Sequence, residues 1–266
     1  MEKGTEGYRF LDVGGTFVKI PGEPPVPVNS AGSREEIAAG LKRAIGPLQN
    51  LKGIGVAIPG PFNYHEGTFL MEHKFAAVYG ENFAVLAGIP AGIPVRYMHD
   101  VTSALEGSLR MLDLRGNVAL ATLGTGLGFC MALDGKVRYA PDGSPAHEIW
   151  NLPRNGGILE DFVSARAIRN AYAARTGITT VSALDIAQRA NLGDENAMEA
   201  YLQIGATLGE SIAELLEDME VKTLLMGGQI SKSLKLMDRP LRNALEGVQI
   251  IPAPDGAVFE GLKTQF

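Results

Sequence analysis

The fold is decided by the stretch YRFLDVGGTFVKI at residues 8–20, in which a pair of glycines separates two apolar segments. Tyr8–Val13 is predicted to form a short strand, and Phe17–Ile20 a strand that returns beside it. Because glycine has no Cβ, the backbone N–H groups around Gly14 and Gly15 can approach and surround a phosphate. A plain hairpin with a Gly-Gly turn is the alternative interpretation of the same residues.

A second unit of this kind lies in the middle of the chain, where the predicted strands Val118–Leu123 and Phe129–Leu133 flank Gly124–Gly128. Its alternating glycines lead into a strand, whereas a dinucleotide-binding loop leads into a helix, and no Gly-Lys-Ser/Thr of a P-loop is present. The loop can hold a phosphate, with Thr125 exposed, or it can be a glycine-kinked core hairpin. Because strands and helices follow each unit, we expect a duplication that places two glycine turns opposite each other across a cleft.

The composition of the 266 residues, 45% hydrophobic and 20% charged, is typical of a globular protein with one large domain or two medium ones. A net charge of −6 without any basic run argues against a nucleic-acid partner. Cys130 is the single cysteine, so an intrachain disulfide and a cysteine-based zinc site are excluded, and a cytoplasmic location is expected. Met1–Gly7 is too polar for a signal peptide. The apolar, uncharged stretch Val118–Leu133 is shorter than the roughly 20 residues of a membrane helix, so no membrane association is expected.

Apolar residues three or four positions apart, with capping residues before them, predict the helices. These are predicted after the Ser33–Glu36 capping box, from Asp100, at Ser164–Arg175, Ser182–Ala190, Asp194–Met219 and Ile230–Leu245, and after Pro252–Asp255. Further strands are predicted at Gly53–Ile58, Pro94–Met98, Lys136–Tyr139 and Val221–Met226. The stretch from Phe62 to Gly92 has weak periodicity and no predicted element.

Two further features point to ligand chemistry, and each has a structural alternative. Asp100 follows a predicted strand and opens a helix, where a carboxylate can act as a general base or merely cap the helix. Gly227 and Gly228 end a predicted strand, where paired glycines can let a flat ring such as adenine lie against the backbone or can simply form a turn. Cys130 is expected to be a core residue. Spacing alone leaves the alternatives for Asp100 and the two glycines open.

Five motifs follow one another along the chain: Asp-x-Gly-Gly-Thr-x-x-Lys at Asp12–Lys19, Pro59-Gly60-Pro61, Asp100 at the start of a helix, Gly-Thr-Gly-x-Gly at Gly124–Gly128, and Gly227-Gly228. Their order resembles that of the ROK family of sugar kinases. The resemblance extends from about Phe10 to the C-terminus and includes Ile158–Ile168 and Asp255–Leu262.

The resemblance implies the α/β fold of the actin-like ATPases, in which two ribonuclease-H-like domains enclose an ATP cleft. The N-terminal α/β domain would comprise residues 1–113, joined by a last helix at 254–266. The C-terminal α/β domain, which carries a helical insert, would comprise residues 114–253. A homodimer is the assembly that the resemblance implies.

The resemblance also implies roles for individual residues. Asp100 would be the catalytic base, which takes a proton from a sugar hydroxyl as that oxygen attacks the γ-phosphate. ATP, with Mg²⁺ held near Asp12, would be bound by Asp12, Gly14, Gly15, Thr16, Lys19, Gly124, Thr125, Gly126, Gly128, Gly227 and Gly228. The sugar would be bound by Gly60, His99, Glu148, Asn151 and Glu160.

Three departures from the family pattern fall on the sugar side. Asn151 stands where the family has a histidine, and the cysteines of the family's zinc loop are absent, so no zinc is expected. His99 precedes the base where the family usually has asparagine. It can donate a similar bond to the sugar, with a larger ring that reshapes the pocket, or it can be a partly buried structural histidine. His73-Lys74-Phe75 matches the family's substrate loop poorly, whereas the motifs on the phosphate side are intact.

The leading prediction is therefore ATP-dependent phosphorylation of an aldohexose or a related sugar. A polyphosphate-dependent glucokinase is an alternative, although Gly227-Gly228 favours ATP. A catalytically silent sugar- or nucleotide-binding protein is another, because the family includes transcriptional repressors. Those repressors have an N-terminal helix-turn-helix, and a phosphate loop that begins by Asp12 leaves no room for one, so DNA binding is not expected. An acyl-CoA dehydratase activator of the same fold would need cluster-binding cysteines, which a single cysteine excludes.

Overall fold

The computed structural model describes residues 6–266. Its strands, numbered in chain order, are β1 Tyr8–Val13, β2 Phe17–Ile20, β3 Glu23–Pro27, β4 Gly53–Ile58, β5 Phe62–Asn63, β6 Thr68–Phe69, β7 Val95–His99, β8 Val118–Leu123, β9 Leu127–Leu133, β10 Lys136–Val137, β11 Pro153–Arg154, β12 Gly157–Ile158, β13 Thr223–Gly227 and β14 Gln249–Pro252. Its α-helices are α1 Arg34–Ile45, α2 Phe83–Leu86, α3 Asp100–Met111, α4 Leu159–Phe162, α5 Ala165–Thr176, α6 Ala183–Asn191, α7 Glu195–Asp218, α8 Asp238–Ala244 and α9 Ala257–Lys263. Short 3-10 helices cover Ala76–Val78 and Ile230–Leu236.

The described residues form two compact units. The first holds the described chain up to Asp113 together with Tyr139–Ala146 and Asp255–Phe266. The second holds Leu114–Arg138 and His147–Pro254.

The segment Tyr139–Ala146 packs with the first unit, whereas the sequence predicts that it belongs to the second domain. A hydrogen bond of 2.9 Å from the His65 ring to the carbonyl oxygen of Pro141 fastens it there. Gly143 also lies close to Tyr64, because a methyl group at Gly143 would come within 2.8 Å of the Tyr64 Cβ. A contact of this kind joins distant parts of the chain and leaves no periodic pattern in the sequence.

The first unit is built on a 5-stranded sheet with the order β3-β2-β1-β4-β7. Strands β1, β4 and β7 are parallel, and β2 and β3 continue the sheet beside β1 in antiparallel pairing. Asp12 of β1 pairs with Ala57 of β4, and the following residue Ile58 pairs with His99 of β7. Since parallel strands end at a common edge, Asp12 and Asp100 lie on the same edge of this sheet, where ligands of α/β proteins bind.

Side chains that alternate along β1 build the core on both faces of this sheet. Leu11 and Val13 are fully buried in a cluster with residues of α1. Phe10 points to the other face, where it packs with Leu262 of α9. Helix α1 begins at the predicted capping box, since the Ser33 side chain accepts from the Glu36 backbone and the Glu36 side chain accepts in return. The strand that carries Asp12 is therefore held firmly on both sides.

Helix α3, which begins with Asp100, is held against α9 by glycines. A methyl group at Gly107 would overlap the carbonyl oxygen of Ala257, and one at Gly261 would overlap the carbonyl oxygen of Ser103. The Ser103 hydroxyl donates to the carbonyl oxygen of Val258 over 2.7 Å. This close backbone packing fixes the helix whose first residue is the candidate base.

The second unit repeats the plan of the first. Its 5-stranded sheet has the order β10-β9-β8-β13-β14, with β8, β13 and β14 parallel and β9 and β10 antiparallel. Its core packs the sheet against α5 to α8. Ser164, Ser182 and Asp194 cap α5, α6 and α7 at the predicted positions. The identical strand order and directions in the two units confirm the predicted duplication.

The stretch Val118–Leu133 forms β8 and β9, as predicted. Within residues 6–266, the helices are too short or too polar to span a lipid bilayer.

The single helix predicted at Ile230–Leu245 is wrong. A 3-10 helix covers Ile230–Leu236, with non-helical backbone angles at Ser233, and α8 begins afresh at Asp238. Pro240 explains the break, because proline lacks an N–H and its ring clashes with the preceding turn unless it lies in the first turn of a helix. The periodicity of the apolar residues continues across both segments and conceals the break.

Two other parts of the chain hold structure that the sequence does not predict. The sequence does not predict strand β14, because the strand is only 4 residues long and ends in Pro252. The weakly periodic stretch from Phe62 to Gly92 contains β5, β6, α2 and a 3-10 helix. These elements are held by buried aromatic rings, such as Phe69 packed edge-on to Phe62 with their centroids 5.3 Å apart, and not by a regular apolar face.

Candidate active site

The carboxylate of Asp12 is engaged by Lys19 in the first unit. The two residues are directly opposite each other in the β1–β2 pair, and Lys19 Nζ lies 2.8 Å from Asp12 Oδ2. Burial raises the pKa of Asp12 above its ordinary value, against the opposing effect of Lys19, and the nearby carboxylate of Asp100 adds to the rise. The sequence motif thus places an acid–base pair at the mouth of the glycine turn.

The turn between β1 and β2 is tight and open to solvent at its tip. The Gly14 N–H donates to the carbonyl oxygen of Phe17 over 2.9 Å, and Thr16 is exposed. The carbonyl oxygen of Gly15 accepts from the Ser30 N–H over 3.1 Å. A methyl group at residue 15 would stand 3.0 Å from the Ser30 hydroxyl oxygen, which is a tight contact, so close packing favours glycine there.

Asp100 lies at the carboxyl end of β7, and its Oδ1 is well partnered. That atom accepts from the Val101 N–H over 2.8 Å and lies 2.9 Å from His99 Nδ1. The Val101 N–H is farther, 3.2 Å, from His99 Nδ1. Because the shorter backbone bond goes to the carboxylate, the geometry favours a hydrogen on His99 Nδ1 that is donated to Oδ1.

The environment of Asp100 holds its carboxylate ionised. Burial alone would raise its pKa, but His99, the Val101 N–H and the cation of Lys74 outweigh burial and keep the pKa of Asp100 below its ordinary value. This is the protonation state that a general base needs.

His99 is buried between the base and an aromatic wall. Its ring centroid lies 5.8 Å from that of Tyr64, whose hydroxyl donates to the carbonyl oxygen of Ile58 over 3.1 Å. A methyl group at Gly60 would be 3.7 Å from His99 Nε2. The structure thus brings the sugar-side candidates Gly60 and His99 together beside Asp100.

Lys74 belongs to the same site, although the sequence does not identify it. Its Cδ would be 3.6 Å and its Cε 3.9 Å from a methyl group at Gly15. The cation also acts on the carboxylate of Asp100. The only signal in the sequence is that Lys74 is the single Lys or Arg within the weakly periodic stretch from Phe62 to Gly92.

In the second unit, the loop between β8 and β9 is closed by its own backbone. The Gly124 N–H donates to the carbonyl oxygen of Gly126 over 3.0 Å, and the carbonyl oxygen of Gly124 accepts from the Ala165 N–H over 2.9 Å. A methyl group at Gly124 would have open space around it, and Thr125 is exposed. The outer surface of the loop is therefore accessible to a ligand, and its inner side is tied to the first turn of α5.

The Glu160 carboxylate braces this loop from inside the second unit. Its Oε2 accepts from the Leu127 N–H over 2.9 Å, and a methyl group at Gly126 would stand only 2.6 Å from it. The resemblance groups Glu160 with the sugar ligands. In the structure, one of its oxygens is already bonded to the glycine loop, which Glu160 therefore supports.

Glu148 and Asn151 are both exposed in the segment that precedes β11. The Trp150 ring N–H donates to Glu148 Oε2 over 3.1 Å. This bond orients the carboxylate and leaves it open to hydroxyl donors.

Gly227 is the last residue of β13 and Gly228 follows it, close to the end of β8. Gly228 has a φ of 84°, and a methyl group there would overlap the carbonyl oxygen of Leu123. Gly227 lies near Thr122, because a methyl group at residue 227 would stand 3.1 Å from Thr122 Cγ2. Packing and backbone conformation are thus enough to require glycine at residue 228.

The two α/β units with the same strand order define the fold as that of the actin-like ATPases. Among solved structures of this class, the ROK family glucokinase from Streptomyces griseus, in complex with glucose and AMPPNP, matches with a TM-score of 0.78 at 20% identity. The match covers 96% of this chain and 97% of that one.

The sequence profile of the ROK family matches residues 32–252. The chain belongs to the ROK family, as the order of its motifs predicts. The glucokinase of Halalkalibacterium halodurans is 26% identical over 95% of this chain and 89% of its own length. An N-acetylmannosamine kinase of Escherichia coli is 23% identical over 83% of this chain and 82% of its own length.

Proposed function

We propose that this protein transfers the γ-phosphoryl group of ATP to a hydroxyl of an aldohexose or a related sugar, with Asp100 as the general base. The observation that carries the proposal is the position of Asp100. It lies on the sheet edge that also bears Asp12 and the first glycine turn, and its neighbours keep it ionised. The sugar kinases among the relatives support the same class of reaction.

In this reaction the sugar oxygen forms a bond to the γ-phosphorus, while the bond from that phosphorus to the β–γ bridging oxygen breaks and ADP leaves with the electron pair. Asp100 takes the proton of the attacking hydroxyl. Within residues 6–266, the short bonds to this carboxylate go to Oδ1. Oδ2 is therefore the oxygen that receives the proton.

Each of the two glycine turns would bind phosphate groups of a nucleotide. In the first unit, Gly15 would offer its backbone N–H and Thr16 its hydroxyl to a phosphate, while Gly14, whose N–H donates to Phe17, shapes the turn. Lys19 adds positive charge. In the second unit, the ligand-binding atoms would come from Gly124, Thr125, Gly126 and Gly128. Gly227 and Gly228 would support the adenine ring, a role that is additional to the packing that already requires Gly228.

Mg²⁺ would bind with the nucleotide near Asp12. Across residues 6–266, no group of 3 or more His, Cys, Asp and Glu side chains could hold a metal ion alone. This fits Mg²⁺, which commonly keeps several waters and binds through one or two carboxylates together with substrate phosphates. Asp12 can supply such a carboxylate at the sheet edge. When bound, the ion would neutralise charge on the phosphates.

The sugar would be recognised by hydrogen bonds to its hydroxyls from Gly60, His99, Glu148 and Asn151. A carboxylate such as that of Glu148 can accept from two neighbouring hydroxyls. With its hydrogen on Nδ1 directed at Asp100, the His99 ring would accept a hydrogen bond from a sugar hydroxyl at Nε2. Glu160 would act on the sugar only through its second oxygen, because Oε2 is bonded to Leu127.

A coupled assay of ADP release over a panel of sugars tests the proposal. The panel should include glucose, mannose and N-acetylmannosamine, with ATP and Mg²⁺ as the common reagents. We expect one sugar or a small group of related sugars to stimulate ADP release well above the rate without sugar. The absence of stimulation by every sugar with ATP would overturn the proposal, and a sugar phosphate formed only with polyphosphate would identify a polyphosphate-dependent kinase instead.

A protein that binds sugar or nucleotide without turnover is a second candidate. The contact of 2.9 Å between His99 Nδ1 and Asp100 Oδ1 favours it, since a hydrogen bond from the ring makes the carboxylate a weaker base. Calorimetry decides between the two candidates. Binding of a sugar or of ATP without any release of ADP would support the silent protein, whereas binding with turnover would support the kinase.

A further inference from the structure

The segment that carries Lys74 is tied to the first glycine turn through Ser30. The N–H of the next residue, Phe75, donates to the carbonyl oxygen of Ser30 over 2.7 Å, and the Ser30 N–H donates to the carbonyl oxygen of Gly15 over 3.1 Å. Phe75 is fully buried and packs against Phe69, with the ring centroids 5.4 Å apart. Two successive backbone hydrogen bonds and a buried anchor therefore fix the residue that carries the cation.

The Lys74 side chain runs along the glycine turn. Its Cδ and Cε approach the position of the missing Gly15 methyl to 3.6 and 3.9 Å. A methyl group at residue 15 would make ordinary van der Waals contact with this stem and a tight contact with the Ser30 hydroxyl. The aliphatic part is thus packed on the turn, and the ammonium at its end lies close enough to influence Asp100.

The Lys74 ammonium differs from the other cation of the site in having no direct partner. Lys19 is bonded to Asp12 over 2.8 Å. In the part of the chain that the structure describes, Lys74 forms neither an ion pair nor a side-chain hydrogen bond. A half-buried cation without a direct counter-ion, between a phosphate-binding turn and a carboxylate, is suited to an anionic ligand group.

We infer that Lys74 is a catalytic residue that donates hydrogen bonds to the non-bridging oxygens of the γ-phosphoryl group as it passes from ATP to the sugar. This inference rests on the proposed kinase function and names a further group in the same site. The γ-phosphorus must lie between the turn that holds the phosphates and the base that holds the acceptor hydroxyl. Lys74 lies between these two features of the first unit.

The chemistry needs a cation at this point. As the bond to the β–γ bridging oxygen breaks and the bond to the sugar oxygen forms, negative charge is spread over the three non-bridging oxygens of the phosphoryl group. An ammonium placed beforehand stabilises this charge without reorganisation. Lys74 keeps its protons throughout. The proton that leaves the sugar hydroxyl goes to Asp100.

The test compares Lys74→Met, which keeps the stem and removes the charge, with Lys74→Arg, which keeps the charge. Lys52→Met, a change at an exposed lysine of the same unit, is the matched control. We expect Lys74→Met to lower kcat by about 10²–10³-fold, with little change in the KM for sugar. Lys74→Arg should recover part of the loss, and Lys52→Met should match the wild type. An unchanged kcat in Lys74→Met would overturn the inference. A rise in the KM for sugar without a change in kcat would also overturn it, because it would place the cation at the sugar and not at the phosphoryl group.

A binding measurement keeps this test independent of turnover. Calorimetry with ADP and with the non-hydrolysable analogue AMPPNP compares ligands that differ by the γ-phosphoryl group. We expect Lys74→Met to bind AMPPNP about tenfold or more weakly than the wild type and to bind ADP equally well. If no sugar stimulates ADP release by the wild type, the proposed kinase fails, while the difference between AMPPNP and ADP still decides the role of Lys74. Equal loss for both nucleotides, no loss for either, or a wild type that binds neither would overturn the inference.

Discussion

At the scale of single residues, the pH dependence of the reaction depends on His99. Asp100 has a lowered pKa, so a reaction that needs its ionised form should persist as the pH falls and decline only through that lowered pKa. In His99→Asn, one of the groups that lower this pKa is gone, while Lys74 and the opposing carboxylate of Asp12 remain. We therefore expect the acidic limb of kcat/KM to move to higher pH.

Profiles of kcat/KM against pH for the wild type and His99→Asn measure this shift. His65→Asn, at an exposed histidine of the same unit, serves as the control and should leave the limb in place. A limb that stays at the wild-type pH in His99→Asn, or moves to lower pH, would show that His99 does not tune the base.

The residues of the site differ in how well the sequence reveals them. Asp12 and Asp100 are predictable, because each stands at the end of a parallel strand beside a turn or a helix start. Lys74 is not, because its closeness to Gly15 depends on hydrogen bonds that pass through Ser30 between distant segments. Glu160 is visible as a candidate, but its bond to the glycine loop depends on the fold of α4 beside β9.

At the scale of elements, the glycine loop of the second unit depends on Glu160. In Glu160→Ala the Leu127 N–H loses a charged acceptor, so the glycine loop should be less ordered and should bind a phosphate of ATP more weakly. We expect the KM for ATP to rise by about tenfold or more, with a smaller effect on the KM for sugar. Steady-state kinetics with each substrate varied in turn measures both constants.

Glu160→Gln is the matched control for this change, because its amide oxygen can still accept from Leu127. It should retain most of the affinity for ATP if the carboxylate supports the loop. A rise confined to the KM for sugar, in both variants, would show that Glu160 is a sugar ligand instead.

The packing of α3 on α9 also belongs to the scale of elements. Gly107→Ala would force a methyl group onto the Ala257 carbonyl oxygen, so the two helices must separate. We expect a loss of roughly 1–3 kcal/mol in the free energy of unfolding, measured with urea. Gly92→Ala is the control, since a methyl group there meets open space and the φ of residue 92 is ordinary. Equal stability of the two variants would contradict the packing described for α3.

At the scale of the whole molecule, the duplication was the most predictable feature. The two strand–glycine turn–strand units predicted from the sequence each form part of a 5-stranded sheet, and the two sheets have the same strand order and directions. What escaped prediction is the assignment of Tyr139–Ala146 to the first unit and the break within Ile230–Leu245. The first depends on contacts between distant residues, and the second on a proline inside an otherwise continuous apolar pattern.

The decisive measurement is the sugar-stimulated release of ADP by Asp100→Asn beside that of the wild type. Asn has nearly the same shape as Asp but cannot take the hydroxyl proton, so we expect kcat to fall by about 10²–10⁴-fold. Calorimetry should show that the variant binds sugar and AMPPNP as the wild type does, which separates lost chemistry from lost binding. A kcat in Asp100→Asn equal to that of the wild type would contradict the assignment of Asp100 as the base.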